Sequence, residues 1–314
     1  MKTVSSEHEL AQLLRELRER GGQGGEGFRI SLAAFDQIGM VDVRSAVVEV
    51  GAGVRLDRLE LELRARDLTL GAFSPGTMAL DVATFLEGPW AGLRTIPGGR
   101  LETACLALTG VMADGLRYAS RPSPRSAAGP DLDAMFLGAE GRFGRVTGAK
   151  LRVFPRPRSE RLASWSFSAL QPAVETLRVA VGQGCLLRRG HIIERAGRWL
   201  LAVEVIGGPE SIERDLSTLG HCVFARGGRS SGQQAPFPVG AGGPEHELDW
   251  ETLEAELGRG AAVTLWRISL ESVIAEGEVA GGVPLVPGQR WPCEGPLSAI
   301  AQAADPAGIL GGLR

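Results

Sequence analysis

Ser126-Ala-Ala-Gly129-Pro-Asp131-Leu132, followed by Gly138-Ala-Glu140-Gly141-Arg-Phe-Gly144-Arg145-Val146-Thr147, is the most informative stretch of this chain. It reads as a loop over 123–129, a short helix over 132–137 and a glycine-punctuated turn over 138–148. A strand over 150–154 follows and is closed by Pro155-Arg-Pro157. Glycines at such a turn let backbone N–H groups approach a ligand with no Cβ in the way. The double proline ends the strand and is the best linker signal in the sequence.

Upstream, Ser5 and Ser6 precede a run in which Leu10, Leu13, Leu14 and Leu17 recur at helical spacing. With Ser6-x-x-Glu9 as a capping box, this predicts an amphipathic helix over 7–20. It stops in 21–27, where five of seven residues are glycine. Gly22-x-Gly24-x-x-Gly27 matches a dinucleotide fingerprint literally, but the mechanism needs a strand before the glycines and a helix after them. Here that order is reversed, so a connector is the reading. Strands are expected at 28–32 and 46–50, a helix at 56–65 and a turn at Pro75-Gly76. Helix, glycine turns and apolar segments alternate from 81 to 114.

Beyond the double proline the pattern changes. Strand 163–167, helix 173–181, strands 185–194 and 199–206, helix 210–219 and strand 221–225 give β-α-β-β-α-β, the split arrangement of ferredoxin-like units. A polar loop over 230–244, a helix over 250–257, a strand over 262–270 and a tail with a helix at 296–303 complete the pass.

The chain has 314 residues, roughly two domains at about 150 residues each. The hydrophobic and charged fractions, 44% and 23%, exclude a disordered chain and a coiled coil. A net charge of −3 supplies no field for nucleic acid. Four dispersed cysteines with no CxxC pair argue against a disulfide framework and a zinc site. The polar N-terminus shows no signal peptide and no run reaches membrane-helix length, so a cytoplasmic location is the expectation. Glycine and proline, 44 and 18 residues, make up about a fifth of the chain, which implies many tight turns.

The stretch from Ser126 to Thr147 resembles the FAD-binding oxidoreductases of the vanillyl-alcohol oxidase, or PCMH, type. Their pattern there runs S-x-G-x-D-L, then G-[SA]-E-G-x-[LF]-G-[IV]-[IV]-T and a strand ending in proline. Leu32–Ile38, Ala46–Val54 and the closing Asp305-Pro306-Ala-Gly308-Ile309 are similar to other segments of that family. The flavin subunit of bacterial glycolate oxidase and alkyl-dihydroxyacetone-phosphate synthase look most alike.

The resemblance implies an α+β fold. It places a PCMH-type FAD-binding domain over 1–157, a ferredoxin-like cap over 158–290 and a tail over 291–314 that returns to the first domain. It implies non-covalent FAD. The contacts would come from Pro75, a second loop of Asp81, Val82, Ala83 and Thr84, and Ser126, Gly129, Asp131 and Leu132. Gly138, Glu140, Gly141, Gly144, Val146 and Thr147 complete the set. It further implies hydride transfer from a small 2-hydroxy acid such as glycolate or lactate to the flavin, and a partner iron–sulfur subunit as electron acceptor.

This chain also departs from the family. The first phosphate loop, R-G-G-G-T-S, is reduced to Arg20-Gly-Gly-Gln-Gly-Gly25, and the second has no double glycine and carries Asp81. Arg145 replaces an aliphatic residue. Two readings follow: arginines at 94, 100 and 145 take over phosphate binding, or the fold is kept without FAD in a structural or regulatory subunit. An open groove between the loops at 20–27 and 81–84 and the turn at 138–147 favours the first; side chains filling it favour the second.

No catalytic base can be named. His8, His191, His221 and His246 make no metal spacing, and the acids after His246 read as the first turn of a helix. His191 reads as a structural imidazole and Cys222 as a core thiol. Tyr118, the single tyrosine, follows an Asp114-Gly115 hairpin that places it away from the expected flavin face.

Overall fold

The computed structural model describes residues 2–20, 29–71, 73–88, 94–95, 99–100, 104–122, 132–231, 245–266, 268 and 272–284. The readings of 21–27, 123–131 and the tail at 291–314 lie outside those residues. Strand β1 (Lys2–Thr3) and helix α1 (Glu7–Glu19) open the chain, and β2 (Ile30–Ser31) pairs parallel with β1. Ser6 Oγ accepts the Glu9 N–H at 3.2 Å, and the Glu9 carboxylate accepts the N–H of Ser5, not Ser6, at 2.8 Å. The reciprocal cap therefore closes one residue early. Leu10, Leu13, Leu14 and Leu17 are buried against Val4, Ile30 and Val111. At about 1.5–3 kcal/mol per buried leucine, tertiary packing holds a helix that would be marginal alone.

Next come β3 (Ile38–Asp42), β4 (Val47–Gly51), α2 (Leu56–Arg64), β5 (Leu68–Thr69), α3 (Pro75–Met78) and α4 (Val82–Glu87). They are followed by β6 (Arg94–Thr95), β7 (Gly99–Arg100), β8 (Cys105–Met112), β9 (Arg117–Ala119) and β10 (Gly144–Arg152). An antiparallel sheet of order β3-β4-β10-β8-β9 packs its apolar side chains with α2 and α4 in one core. The β8–β9 hairpin turns at Asp114-Gly115, where φ of Gly115 is +80°. Strand β10 begins at Gly144, six residues before the expected start. The glycines at 144 and 148 are thus strand positions. A Cβ on Gly144 would lie 2.5 Å from the Val111 carbonyl of β8 and 2.7 Å from the Phe136 ring. Glycine serves close strand packing here.

Past β11 (Phe154–Pro155), which pairs with β5, a second sheet begins. Its first unit is β12 (Ser159–Phe167), α5 (Leu170–Gly182), β13 (Leu187–Arg195), β14 (Arg198–Gly207), α6 (Pro209–Ala225) and β15 (Arg229–Ser230). The spatial order β15-β12-β14-β13 is that of a ferredoxin-like sheet. The strand expected at 221–225 is instead the end of α6. Leu219, Cys222 and Val223 continue the helical stripe begun at Ile212, and the fourth strand is the short β15. β-Branched and aromatic residues in 221–225 look strand-like locally, but burial follows the helical period.

β16 (Glu245–Asp249), α7 (Trp250–Gly258), β17 (Thr264–Trp266), β18 (Ser272–Glu276) and β19 (Val283–Pro284) then extend the sheet to eight strands. Of the acids after His246, expected in the first turn of a helix, only Glu251 lies there: 245–249 is a strand, and Asp249 caps α7 by accepting the Thr252 N–H at 2.7 Å. The two sheets meet where Trp266 and Ile274 enter the first core and where Ser74 and Thr77 donate to the buried Glu245 carboxylate. Among the described residues no helix is long and apolar enough to cross a membrane.

Candidate functional site

Asp81 is the N-cap of α4: its carboxylate accepts the Thr84 N–H at 2.7 Å. The Val82 N–H donates to Val54 O and that of Ala83 to Ala52 O, both at 2.9 Å, and Phe85 donates to Asp81 O at 3.0 Å. Every backbone donor from 82 to 85 therefore already has an acceptor within the protein. The acid that looked misplaced for a diphosphate is a helix cap, and Asp81-x-x-Thr84 is a capping pattern readable in the sequence. Pro75 is the first residue of α3, behind a Ser74 cap whose Oγ accepts the Thr77 N–H at 3.0 Å.

The 138–147 turn packs directly on α4. Gly138 N–H donates to Leu86 O at 2.9 Å and Glu140 N–H to Glu87 O at 2.7 Å. Gly138, Glu140 and Gly141 have φ of +73°, +53° and +75°, so the turn uses the left-handed region three times. The Glu87 carboxylate accepts the Val146 N–H at 2.7 Å and Arg145 Nε at 3.1 Å. Burial pushes the Glu87 pKa above its ordinary value, against the pull of the Arg145 charge. Arg145, a phosphate ligand in one of the two readings, is thus committed to Glu87. Sequence reading missed Glu87; the signal was an acid following the apolar run Phe85-Leu86. Nothing is described of the Arg94 and Arg100 side chains.

Thr147 Oγ1 donates to the Glu7 carboxylate at 2.7 Å, and Glu7 also pairs with Arg117 at 2.8 Å. Beside them a cavity of about 340 Å³ lies over the sheet, lined in part by Phe35, Gln37, Thr109, Thr147 and Lys150. Leu132 is exposed ahead of a single 3₁₀ turn, Asp133–Met135. Tyr118 donates to Asp133 at 2.8 Å and stacks on Phe136 at 5.2 Å, and it is not among the residues lining that cavity. Ser126, Gly129 and Asp131 fall outside the described residues.

His191 is buried, with Nδ1 2.8 Å from Val263 O, and burial pulls its pKa down. Cys222 is buried on α6, and burial raises the neighbouring Cys185 thiol to about 11, the opposite of an activated nucleophile. No group of metal-ligating side chains occurs among the described residues.

A dinucleotide's diphosphate requires donors that are not already spent. Residues 82–85 offer none, and the Val146 N–H is held by Glu87, so this segment as folded does not fit a diphosphate. The cavity beside Thr147 is large enough for one ring system. Segments 21–28 and 123–131, where the other expected phosphate and flavin contacts fall, lie outside the described residues.

No protein-family model matches the chain. A mitochondrial D-2-hydroxyglutarate dehydrogenase from Rattus norvegicus is 30% identical over 197 residues, 56% of this chain and 36% of that protein. An uncharacterized FAD-linked oxidoreductase of Escherichia coli (strain K12) is 32% identical over 127 residues, 39% of this chain and 25% of that protein. The match thus spans little more than a third of one curated relative and a quarter of the other. Among solved structures, an alkyldihydroxyacetonephosphate synthase aligns with a TM-score of 0.71 at 13% identity, covering 98% of this chain and 74% of that one. p-Cresol methylhydroxylase with substrate bound aligns with a TM-score of 0.68 at 14% identity, covering 98% and 87%. The chain has the PCMH-type FAD-binding fold, and it is similar in sequence to FAD-linked oxidoreductases.

Proposed function

We propose that this chain is an FAD-linked oxidoreductase, or the flavin-type subunit of one, that acts on a 2-hydroxy acid of the size of glycolate or lactate. The observation that carries this reading is the turn and strand from Gly138 to Arg152, seated at the centre of a PCMH-type sheet and followed by a ferredoxin-like unit. The 2-hydroxy-acid class is supported by the name of the rat relative, and FAD by that of the bacterial one. FAD, when bound, supplies the redox chemistry. The contacts proposed for it are Gly138, Glu140, Gly141 and Gly144 of the turn, Val146 and Thr147, and Ser126, Gly129, Asp131 and Leu132. The N–H groups of Gly138, Glu140 and Val146 are bonded to α4, so those three would contribute through other atoms. Because 82–85 do not fit a diphosphate, no reaction step is assigned to them. The electron acceptor proposed is an iron–sulfur partner subunit in a reducing, cytoplasmic compartment.

One observation favours a second reading. Glu87 and the α4 backbone fill the cleft against the 138–147 turn, as a chain that kept the fold and serves as a partner subunit would have it. The curated relatives give that reading no support. Anaerobic titration of the FAD-incubated protein with glycolate and lactate separates the two. Bleaching of the flavin bands by either acid is expected; a spectrum unchanged by both would overturn the catalytic reading.

A further inference from the structure

Where β5, β11 and the linker 156–158 meet the second sheet, two adjoining cavities of about 430 and 280 Å³ share Thr69, Gly71, Arg156, Pro157 and Arg188. They have no residue in common with the 138–147 turn, α4 or the cavity beside Thr147. The larger one is walled by apolar groups, among them Phe154, Leu186, Ile206 and Pro209.

The charges around this junction do not balance. Five arginines, 64, 156, 158, 188 and 189, line the two cavities against three glutamates, 60, 160 and 204, an excess of two positive charges. Arg64 is held by Glu60 at 2.9 Å, Arg188 by Glu160 at 2.6 Å and Arg189 by Glu204 at 2.8 Å. Glu60 is spent further on the Thr69 hydroxyl and the Leu70 N–H, both at 2.8 Å. That pairing leaves Arg156 and Arg158 with no ion-pair partner among the described residues. Two uncommitted guanidiniums beside an apolar chamber make a fork for a carboxylate or phosphate and a dry wall for what is attached to it.

We propose that this junction binds an amphiphilic organic anion, its charged head on Arg156 and Arg158 and its apolar body against Phe154, Leu186 and Ile206. The site stands apart from the flavin reading and does not depend on it. Such a ligand would touch the separate β5–β11 pair and the second sheet's β13 and β14 at once.

Calorimetric titration of the full chain with decanoate and with decyl phosphate tests this, with acetate, inorganic phosphate and decanol as head-only and body-only controls. One saturable site per chain is expected for at least one amphiphile, and none for the controls at equal concentration. The double variant Arg156→Ser, Arg158→Ser alters two exposed side chains, so its far-ultraviolet dichroism and Tm should stay as in the wild type. Its affinity should fall by about ten-fold or more. A preference for either head supports the site and identifies it. Absence of saturable binding by both amphiphiles, or equal affinity in the folded double variant, overturns the proposal.

Discussion

Glu87 and Val146 face each other between α4 and β10, the carboxylate accepting the strand's backbone N–H at 2.7 Å while Arg145 holds its other side at 3.1 Å. This three-group contact ties α4 to the turn where the resemblance places a flavin. Glu87→Ala would leave a guanidinium and a backbone N–H without their acceptor. The expected cost is about 2–4 kcal/mol of stability, read by urea denaturation. A loss indistinguishable from that of an exposed glutamate would show that the contact contributes nothing.

The same carboxylate sets a pH dependence. Burial raises its pKa, so the native chain holds that proton more tightly than the unfolded chain does. Its contribution is full below the unfolded carboxylate value, about 4.3, and is lost as pH rises through the higher folded value. Glu87→Gln removes this slope. Wild-type stability minus variant stability should therefore fall between acid and neutral pH in paired denaturation series; a rising difference would reverse the assignment.

His191 shows the opposite behaviour. Burial lowers its pKa, although the hydrogen bond to Val263 works against that shift. The unfolded chain takes up the proton first, so stability is lost as pH falls through about 6.5. His191→Gln can still donate to Val263 and cannot titrate. The wild-type loss between pH 7 and 5 should be smaller in this variant, as measured by Tm across that range.

Two glycine substitutions separate packing from propensity. Gly144→Ala places a methyl against Val111 O and the Phe136 ring and should cost about 1–3 kcal/mol. Gly220→Ala, inside α6 with no atom within 4 Å of the new methyl, should add about 0.5–1 kcal/mol. Equal effects in calorimetric unfolding would contradict the account of why glycine stands at 144.

Most of the fold was legible because its signals are local. Four leucines at helical spacing announced α1, and the run from 163 to 206 announced the ferredoxin-like order strand by strand. The end of α6 was misread because His221-Cys-Val-Phe-Ala favours strand locally, while only the packing of Cys222 and Val223 continues the helix. The site was less legible for a different reason. Glu87 and Val146 are 59 residues apart, and no spacing rule links an acid on a short helix to a backbone N–H on a distant strand. Asp81 could have been read correctly, since Asp81-x-x-Thr84 is a cap, but a family pattern drew attention to phosphate instead. The uncommitted arginines 156 and 158 lay in plain view in the linker, and only the pairing of their neighbours gives them meaning.

The central claim is that this chain carries FAD, and the most direct measurement is the visible absorbance of freshly purified protein, repeated after dialysis with added FAD. Flavin bands that persist through gel filtration at close to one FAD per chain are the predicted result. A colourless protein that retains none after FAD is supplied would contradict the account and leave the Glu87 contact as the mark of a closed site.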